Sequence, residues 1–163
     1  MRKASFGAVA DARTRVLVLG SLPGEESLRR GQYYAHPRNQ FWRLMGAVTG
    51  TGLAALPYAE RLETLQASGV GLWDVIQSAA RPGSLDADIR APEPNALQAL
   101  ATALPGLRAV AFNGGTALRL GRGRLAETDG VAILALPSSS PAYTLGFELK
   151  LQAWMGLKDF LDD

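Results

Sequence analysis

Four short stretches of this sequence carry the polar and ring side chains that can do chemistry. They are GSLPG (20–24), YYAHPRNQFW (33–42), FNGG (112–115) and LPSSSP (136–141). Each is rich in backbone N–H donors, amides or aromatic rings, and none contains an obvious charged base. Aromatic faces stack on a flat ring, while amides and backbone N–H groups pair with its edges. Together the stretches predict recognition of a planar, neutral heterocycle.

The composition excludes several other kinds of site. The chain has 163 residues with no cysteine and one histidine, so thiolate metal sites, iron–sulfur clusters, disulfides and cysteine nucleophiles are excluded. A single histidine also argues against an imidazole-built zinc site, and we expect no metal and no cofactor. Because the net charge is only +2, attraction to phosphates must come from local arginine clusters, which are equally typical of a solvated surface.

Three common catalytic patterns are absent or incomplete. GSLPG follows a strand but lacks the Gly-Lys-Ser/Thr ending of a phosphate-binding loop. None of the three serines of LPSSSP lies in a Gly-x-Ser-x-Gly elbow, and a catalytic triad would have to use His36, which precedes a proline. The carboxylate pairs Glu25–Glu26 and Asp86–Asp88 lie in polar loops, which does not favour acid–base catalysis by them.

The elements that must position these loops alternate between strand and helix. Apolar runs predict strands at 15–20, 70–76, 108–113 and 131–136, and helical periodicity predicts helices at 39–48, 57–68, 92–104, 116–121 and 147–161. The pattern indicates one α/β domain over 1–163, a three-layer α/β/α arrangement around a four-stranded, mostly parallel sheet. Three of the four strands end in one of the quoted loops, so we expect these loops to meet where such sheets bind ligands. Residues 82–94 are predicted to be a surface loop.

In this order and spacing, VLGSLPG, YYAHPRNQFW, FNGG and LPSSSPAY resemble the uracil-DNA glycosylase superfamily and, within it, the hypoxanthine-DNA (deoxyinosine) glycosylases. AHPRNQFW is also similar to a segment of the mismatch-specific uracil/thymine glycosylases. The resemblance implies a uracil-DNA glycosylase-like fold and a monofunctional glycosylase of base excision repair. Such an enzyme flips a deaminated nucleotide out of DNA and hydrolyses its N-glycosidic bond without metal or cofactor. We expect a cytoplasmic monomer, with no membrane segment.

The resemblance assigns the base pocket and the water. Gly20, Ser21 and Leu22 line the pocket, and Leu22 stands where relatives often carry an Asp or Asn that holds the attacking water. In the hypoxanthine branch this role passes to an asparagine, here Asn39, whose amide oxygen can orient a water toward the sugar cation. On sequence grounds alone, a helix N-cap is the favoured interpretation of Asn39.

Two further residues are implied to contact the base. Tyr34 lies where relatives stack an aromatic ring on it, and Asn113 lies where they present an asparagine at the pocket wall. The residues alone leave alternatives open: Tyr34 as a half-buried core tyrosine, and Asn113 as a turn residue before Gly114.

The resemblance assigns other residues to DNA. His36 and Arg38 approach the phosphates, Ser138, Ser139 and Ser140 bind them, and Tyr143 probes the gap left by the flipped base. As an alternative, His36 only braces its own loop. The alternative for the three serines is a simple serine-rich turn. Leu136 replaces the His or Asn with which relatives often begin this loop.

Three functions compete with hypoxanthine excision. A uracil or mismatch glycosylase would use the same loops. A non-catalytic domain that binds lesion DNA would explain the apolar residues at both usual catalytic positions, Leu22 and Leu136. An enzyme acting on free nucleotides is disfavoured by the missing phosphate-loop signature.

Overall fold

A four-stranded parallel sheet forms the centre of the molecule. The computed structural model describes residues 2–126 and 130–162. Its strands are β1 (Arg2–Ala4), β2 (Val16–Gly20), β3 (Val70–Asp74), β4 (Ile76–Ala80), β5 (Arg90–Pro94), β6 (Ala109–Asn113) and β7 (Ala132–Leu136). The central sheet has the order β3-β2-β6-β7, and all its neighbours are parallel. The predicted sheet is therefore confirmed, although the strand expected at 70–76 ends at Asp74 and Ile76 begins β4 of another sheet.

Helices cover both faces of this sheet. They are α1 (Glu25–Arg30), α2 (Phe41–Thr49), α3 (Tyr58–Ala67), α4 (Leu97–Ala103), α5 (Gly115–Gly121), α6 (Phe147–Trp154) and α7 (Lys158–Leu161). None of the helices in the described ranges is long and apolar enough to span a lipid bilayer.

The sequence of β2 explains the three layers. Its five residues are all buried, as in a strand covered on both faces. Successive side chains of a strand point to opposite faces, so Val16 and Val18 pack into one core cluster with Phe41 and Trp154. Leu17 and Leu19 pack into the other cluster, beside α4 and α5. The predicted α/β/α layering follows from this double burial.

A second, antiparallel sheet was not predicted. It has the order β1-β4-β5, and β5 lies within 82–94, where we expected only a surface loop. The prediction failed because Pro92 and Pro94 interrupt the strand pattern. Proline is tolerated on an edge strand, where one side of the backbone has no partner, and β5 is such an edge.

One helix was not predicted, so Glu25 and Glu26 lie in a helix rather than in the expected loop, and two helix predictions also need correction. The sequence Glu25–Arg30 forms α1, which is too short to show a helical period and ends at Gly31 with φ 64°. The helix predicted from residue 92 begins only at Leu97, because β5 occupies the chain as far as Pro94. The closing helix is divided into α6 and α7 by a 3₁₀ turn, Met155–Leu157.

Candidate active site

The loops that follow β2, β6 and β7 meet at the carboxyl edge of the parallel sheet, as predicted. Together with the segment before α2 and residues 84–87, they line a cleft of about 1210 Å³. All the residues predicted to contact base or DNA lie around it: Gly20, Ser21, Leu22, Tyr34, His36, Arg38, Asn39, Asn113, Ser138, Ser139, Ser140 and Tyr143. The topology therefore brings together groups that are more than 100 residues apart in the chain.

Asn39 lies at the cleft wall, shortly before α2. Its Oδ1 accepts the backbone N–H of Phe41 at 3.0 Å, and its own N–H donates to the carbonyl oxygen of His36 at 2.9 Å. Gln40, rather than Asn39, is the residue directly before α2, but the Asn39 side chain still caps the first N–H of the helix from one position further back. A carbonyl oxygen has two lone pairs, so Oδ1 keeps a second acceptor position. The cap holds this oxygen in a fixed orientation, which suits the placement of a water.

Tyr34 stacks on a core ring and points its hydroxyl to the base of the cleft. Its ring lies 4.0 Å from the ring of Phe41, with 14° between the planes. Its backbone has φ 54°, a left-handed conformation that is costly for a residue with a Cβ. Burial, with the nearby Asp74 charge, raises the pKa of the Tyr34 hydroxyl above its usual value. The phenol therefore stays neutral.

Ser139 joins three loops beneath the cleft. Its N–H donates to Asn113 Oδ1 and its Oγ accepts from Asn113 Nδ2, each at 2.9 Å. Its carbonyl oxygen accepts the N–H of Gln40 at 3.0 Å. Ser139 is only 1% exposed, so its polar groups act inside the protein. Asn113 likewise uses both its amide oxygen and its amide nitrogen in hydrogen bonds to Ser139. Its Nδ2 also lies 3.4 Å from the Tyr34 hydroxyl.

Ser138 and Ser140 form the half-buried turn of the same loop. Ser138 Oγ accepts the N–H of Ser140, and Ser140 Oγ accepts the N–H of Ala142, both at 3.1 Å. Lys150, on α6, donates from Nζ to the carbonyl oxygens of Tyr143 and Ser140, at 2.8 and 3.3 Å. Lys150 is 1% exposed, and sequence reasoning missed it because lysine normally faces solvent.

The rim of the cleft carries exposed polar and aromatic groups. His36 and Arg38 are both exposed, and His36 Nδ1 accepts the N–H of Arg38 at 3.1 Å. This bond is the loop brace that the sequence left as an alternative for His36. Tyr143 also lines the cleft, with 47% of its surface exposed.

Hydrogen bonds from Arg81 and to Asp86 fix the GSLPG loop and its neighbours. The Arg81 guanidinium donates to the carbonyl oxygens of Pro23 and Gly83, at 2.5 and 2.8 Å. Ser21 Oγ donates to Asp86 Oδ1 at 2.7 Å across the cleft mouth. Leu22 is 6% exposed and presents only apolar atoms, so this loop places no side-chain water holder in the cleft.

Asp74 is a cleft residue that sequence reasoning missed. It ends β3 directly beside Gly20, and it is 3% exposed. Burial, with a smaller contribution from the nearby Asp86 charge, raises its pKa to about 7, and Arg81 opposes both effects. The signal was an aspartate directly after the apolar run Val70–Trp73, at the strand end where ligands bind.

Comparison with known proteins gives one consistent family. The family description "Uracil DNA glycosylase superfamily" matches residues 6–158. A protein of Methanosarcina acetivorans named "Hypoxanthine DNA glycosylase" is 43% identical over 145 residues, 87% of this chain and 89% of its own. A protein of Methanosarcina barkeri with the same name is 45% identical over 114 residues, 70% of this chain and 72% of its own.

A solved structure agrees over the whole length. It is the solution NMR structure of a Methanosarcina acetivorans protein described as a candidate uracil DNA glycosylase. The two folds superpose with a TM-score of 0.86 and 38% sequence identity, and the alignment covers 100% of each chain. The cleft, its loops and these similarities lead to the same conclusion: the chain belongs to the uracil DNA glycosylase superfamily.

Proposed function

We propose that the chain is a monofunctional DNA glycosylase of base excision repair that hydrolyses the N-glycosidic bond of hypoxanthine in DNA. The observation that carries the proposal is the capped Asn39 oxygen at the wall of a cleft whose GSLPG loop presents the apolar Leu22. The named function of the Methanosarcina relatives, at 43–45% identity, supports the choice of base. We further propose that 1–163 act as one domain and as a cytoplasmic monomer, on sequence features alone.

In the proposed mechanism, different residues of the cleft bind the base and place the water. The flipped nucleotide enters the cleft and its base lies against Tyr34, with Gly20 and Ser21 at its edge. Asn39 Oδ1 accepts a hydrogen bond from a water and directs its oxygen toward C1′ of the sugar. The glycosidic bond breaks through an oxocarbenium-like cation, which the water then captures. The base departs, and an abasic site remains in the DNA.

The loop residues hold the DNA backbone. Ser138 and Ser140 offer hydroxyl groups to phosphates, and His36 and Arg38 face them from the other rim. The buried Ser139 and Asn113 shape the cleft from within by the bonds described above, while Asn113 still borders the space for the base. Tyr143, exposed at the mouth, fills the gap that the flipped nucleotide leaves.

Base release from matched duplexes tests the proposal. Each duplex carries one hypoxanthine, uracil or xanthine, and a chelator is present throughout. We expect release of hypoxanthine. Release of uracil alone would instead indicate a uracil or mismatch glycosylase, the activity in the description of the solved relative. Binding of lesion DNA with no base released would indicate a domain that recognises damage without repairing it.

Lys150→Met is expected to weaken DNA binding. The variant keeps the length of the side chain but removes the donor to the carbonyl oxygens of Ser140 and Tyr143, which loosens the phosphate-binding loop. Hydrogen bonds from charged groups contribute about 1.5–3 kcal/mol, so we expect Kd to rise by about tenfold. The measurement is the affinity for a duplex with 2′-fluorinated deoxyinosine, which resists cleavage. Lys158→Met, on α7, is the matched control, and equal Kd values for the two variants would contradict this expectation.

A further inference from the structure

The mechanism above leaves one buried group of the cleft without a task. Among the described residues, the Oδ2 atom of Asp74 has no hydrogen-bond partner, although the residue is 3% exposed and lines the cleft. Buried polar atoms are normally hydrogen-bonded, and an orphan atom in a binding cleft indicates a ligand. The unpartnered Oδ2 is therefore available to whatever fills the cleft.

The surroundings fix the position of this carboxyl group. Asn95 Nδ2 donates to the Asp74 carbonyl oxygen at 2.7 Å, which anchors the backbone at the strand end. A methyl group on Gly20 would lie 2.7 Å from Asp74 Oδ1 and 3.0 Å from the Tyr34 hydroxyl. Only glycine at position 20 leaves the carboxyl group and the phenol this close to the loop that lines the base pocket.

No cation is bonded to Asp74 in the described residues. Four charged or titratable groups influence or surround it: Asp86 from residues 84–87, Arg81 from behind the GSLPG loop, and Tyr33 and Tyr34 from the segment before α2. Arg81 directs its bonded donors to Pro23 and Gly83. A buried carboxyl group without a bonded cation holds its proton more tightly than an exposed one.

The other carboxyl groups of the cleft are held differently. Lys3 lowers the pKa of Glu25, and Arg29 and Arg30 lower that of Glu26, in each case through a side-chain hydrogen bond. Asp86 is exposed and accepts from Ser21. The pKa of Asp74 is thus raised while the pKa values of Glu25 and Glu26 are lowered, a pattern typical of a site that needs an acid.

We propose that Asp74 is the general acid that protonates the departing base. The inference rests on the proposed function, because it needs a purine in the cleft. The C1′–N9 bond breaks and its electron pair enters the purine ring, while the Asp74 carboxyl proton moves to N7. The water held by Asn39 adds to C1′ and releases a proton to solvent, and solvent returns a proton to Asp74. The products are hypoxanthine and the abasic sugar, so atoms and charges balance.

The chemistry of the leaving group explains why such an acid is useful. A purine exposes N7 as an acceptor, and hypoxanthine adds O6 on the same edge. Negative charge develops on the ring as the bond breaks, and a proton delivered there lowers the barrier. Neither the Asn39 amide nor the Tyr34 phenol, whose pKa is raised, supplies an acidic proton near neutral pH.

Single-turnover release of hypoxanthine between about pH 5 and about pH 9 tests the proposal. The wild-type rate is expected to fall as the pH rises through neutrality. Asp74→Asn keeps a hydrogen-bond donor but has no transferable proton. We expect its rate at about pH 6 to be about 100-fold lower, with no fall toward alkaline pH. Its Kd for the uncleavable 2′-fluorinated duplex should equal that of the wild type.

Asp86→Asn provides an independent arm. It removes the negative charge that favours the protonated form of Asp74, so the alkaline fall of the rate should shift to lower pH. The Asp86→Asn variant still contains Asp74, so its pH dependence tests the proposed acid even where Asp74→Asn does not fold.

Three results would overturn the proposal: a wild-type rate in Asp74→Asn, an alkaline fall that persists in that variant, or an alkaline fall that does not move in Asp86→Asn. Failure of the proposed function looks different, because the wild type would then release no hypoxanthine at any pH.

Discussion

Asn39→Ala is expected to lower the single-turnover rate of hypoxanthine release by about 100-fold to 1000-fold. The alanine methyl cannot accept a hydrogen bond, so the water loses the group that directs it to C1′. Binding of the uncleavable duplex should change little, because Asn39 acts on the water rather than on the phosphates. The measurement is base release under single-turnover conditions, with Kd determined in parallel.

Asn39 also accepts the Phe41 N–H, so its substitution affects stability as well as the reaction, and variants that keep this bond serve as controls. Asn39→Ala removes the acceptor for the Phe41 N–H, which costs about 1 kcal/mol of stability. Asn39→Ser keeps a capping oxygen but is one bond too short to hold the water in the same place, so it should be stable and slow. Asn39→Asp keeps both the cap and the acceptor and should retain most of the rate. A serine variant as fast as the wild type would show that Asn39 only caps α2.

Asp74→Asn is expected to raise the stability of the folded chain above neutral pH. The pKa of Asp74 rises from 3.8 to about 7 on folding, because the carboxylate is poorly solvated in its buried site. Between these values the folded state binds more protons than the unfolded state, so the free energy of unfolding falls as the pH rises from about 4 to about 7. Above about pH 7 the fall is complete, at roughly 4 kcal/mol for a shift of this size.

Urea unfolding across this pH range measures the effect. The difference between Asp74→Asn and the wild type should be small near pH 4, grow with pH, and level off above neutrality. Comparing the two chains cancels the opposite slopes of Glu25 and Glu26, whose pKa values are lowered. Asp159→Asn, an exposed carboxyl on α7, should follow the wild-type curve. Parallel curves for Asp74→Asn and the wild type would refute a raised pKa at Asp74.

The predicted effects of Asp74 on stability and on base release have opposite signs. A carboxyl group that weakens the fold at neutral pH is retained where its proton is used, as is common for groups at functional sites. The Asp74→Asn chain should therefore be the more stable and the less active of the two.

The sequence predicted the strand ends well, because each of the strands 15–20, 108–113 and 131–136 is an apolar run followed by glycine or proline. These signals are local, and the rule that ligands bind at the carboxyl ends of parallel strands supplied the rest. The cleft loops were therefore predictable without knowledge of any contact.

Other features depend on contacts that no local pattern encodes. The left-handed backbone of Tyr34 is imposed by its surroundings, since its stacking on Phe41 and its hydroxyl position both need that geometry. The burial of Lys150 depends on two carbonyl oxygens of a loop that precedes it in the chain. The edge strand β5 contains two prolines and forms only because β4 lies beside it.

Ser139 gives the cleft a mechanical property. Its carbonyl oxygen is tied to Gln40, the neighbour of Asn39, while its N–H and Oγ are tied to Asn113. A displacement of the serine turn is thus transmitted through one buried residue to the segment that carries Asn39 and to Asn113 at the cleft. If the proposed roles of these loops hold, contact with the DNA backbone and placement of the water are mechanically coupled through Ser139.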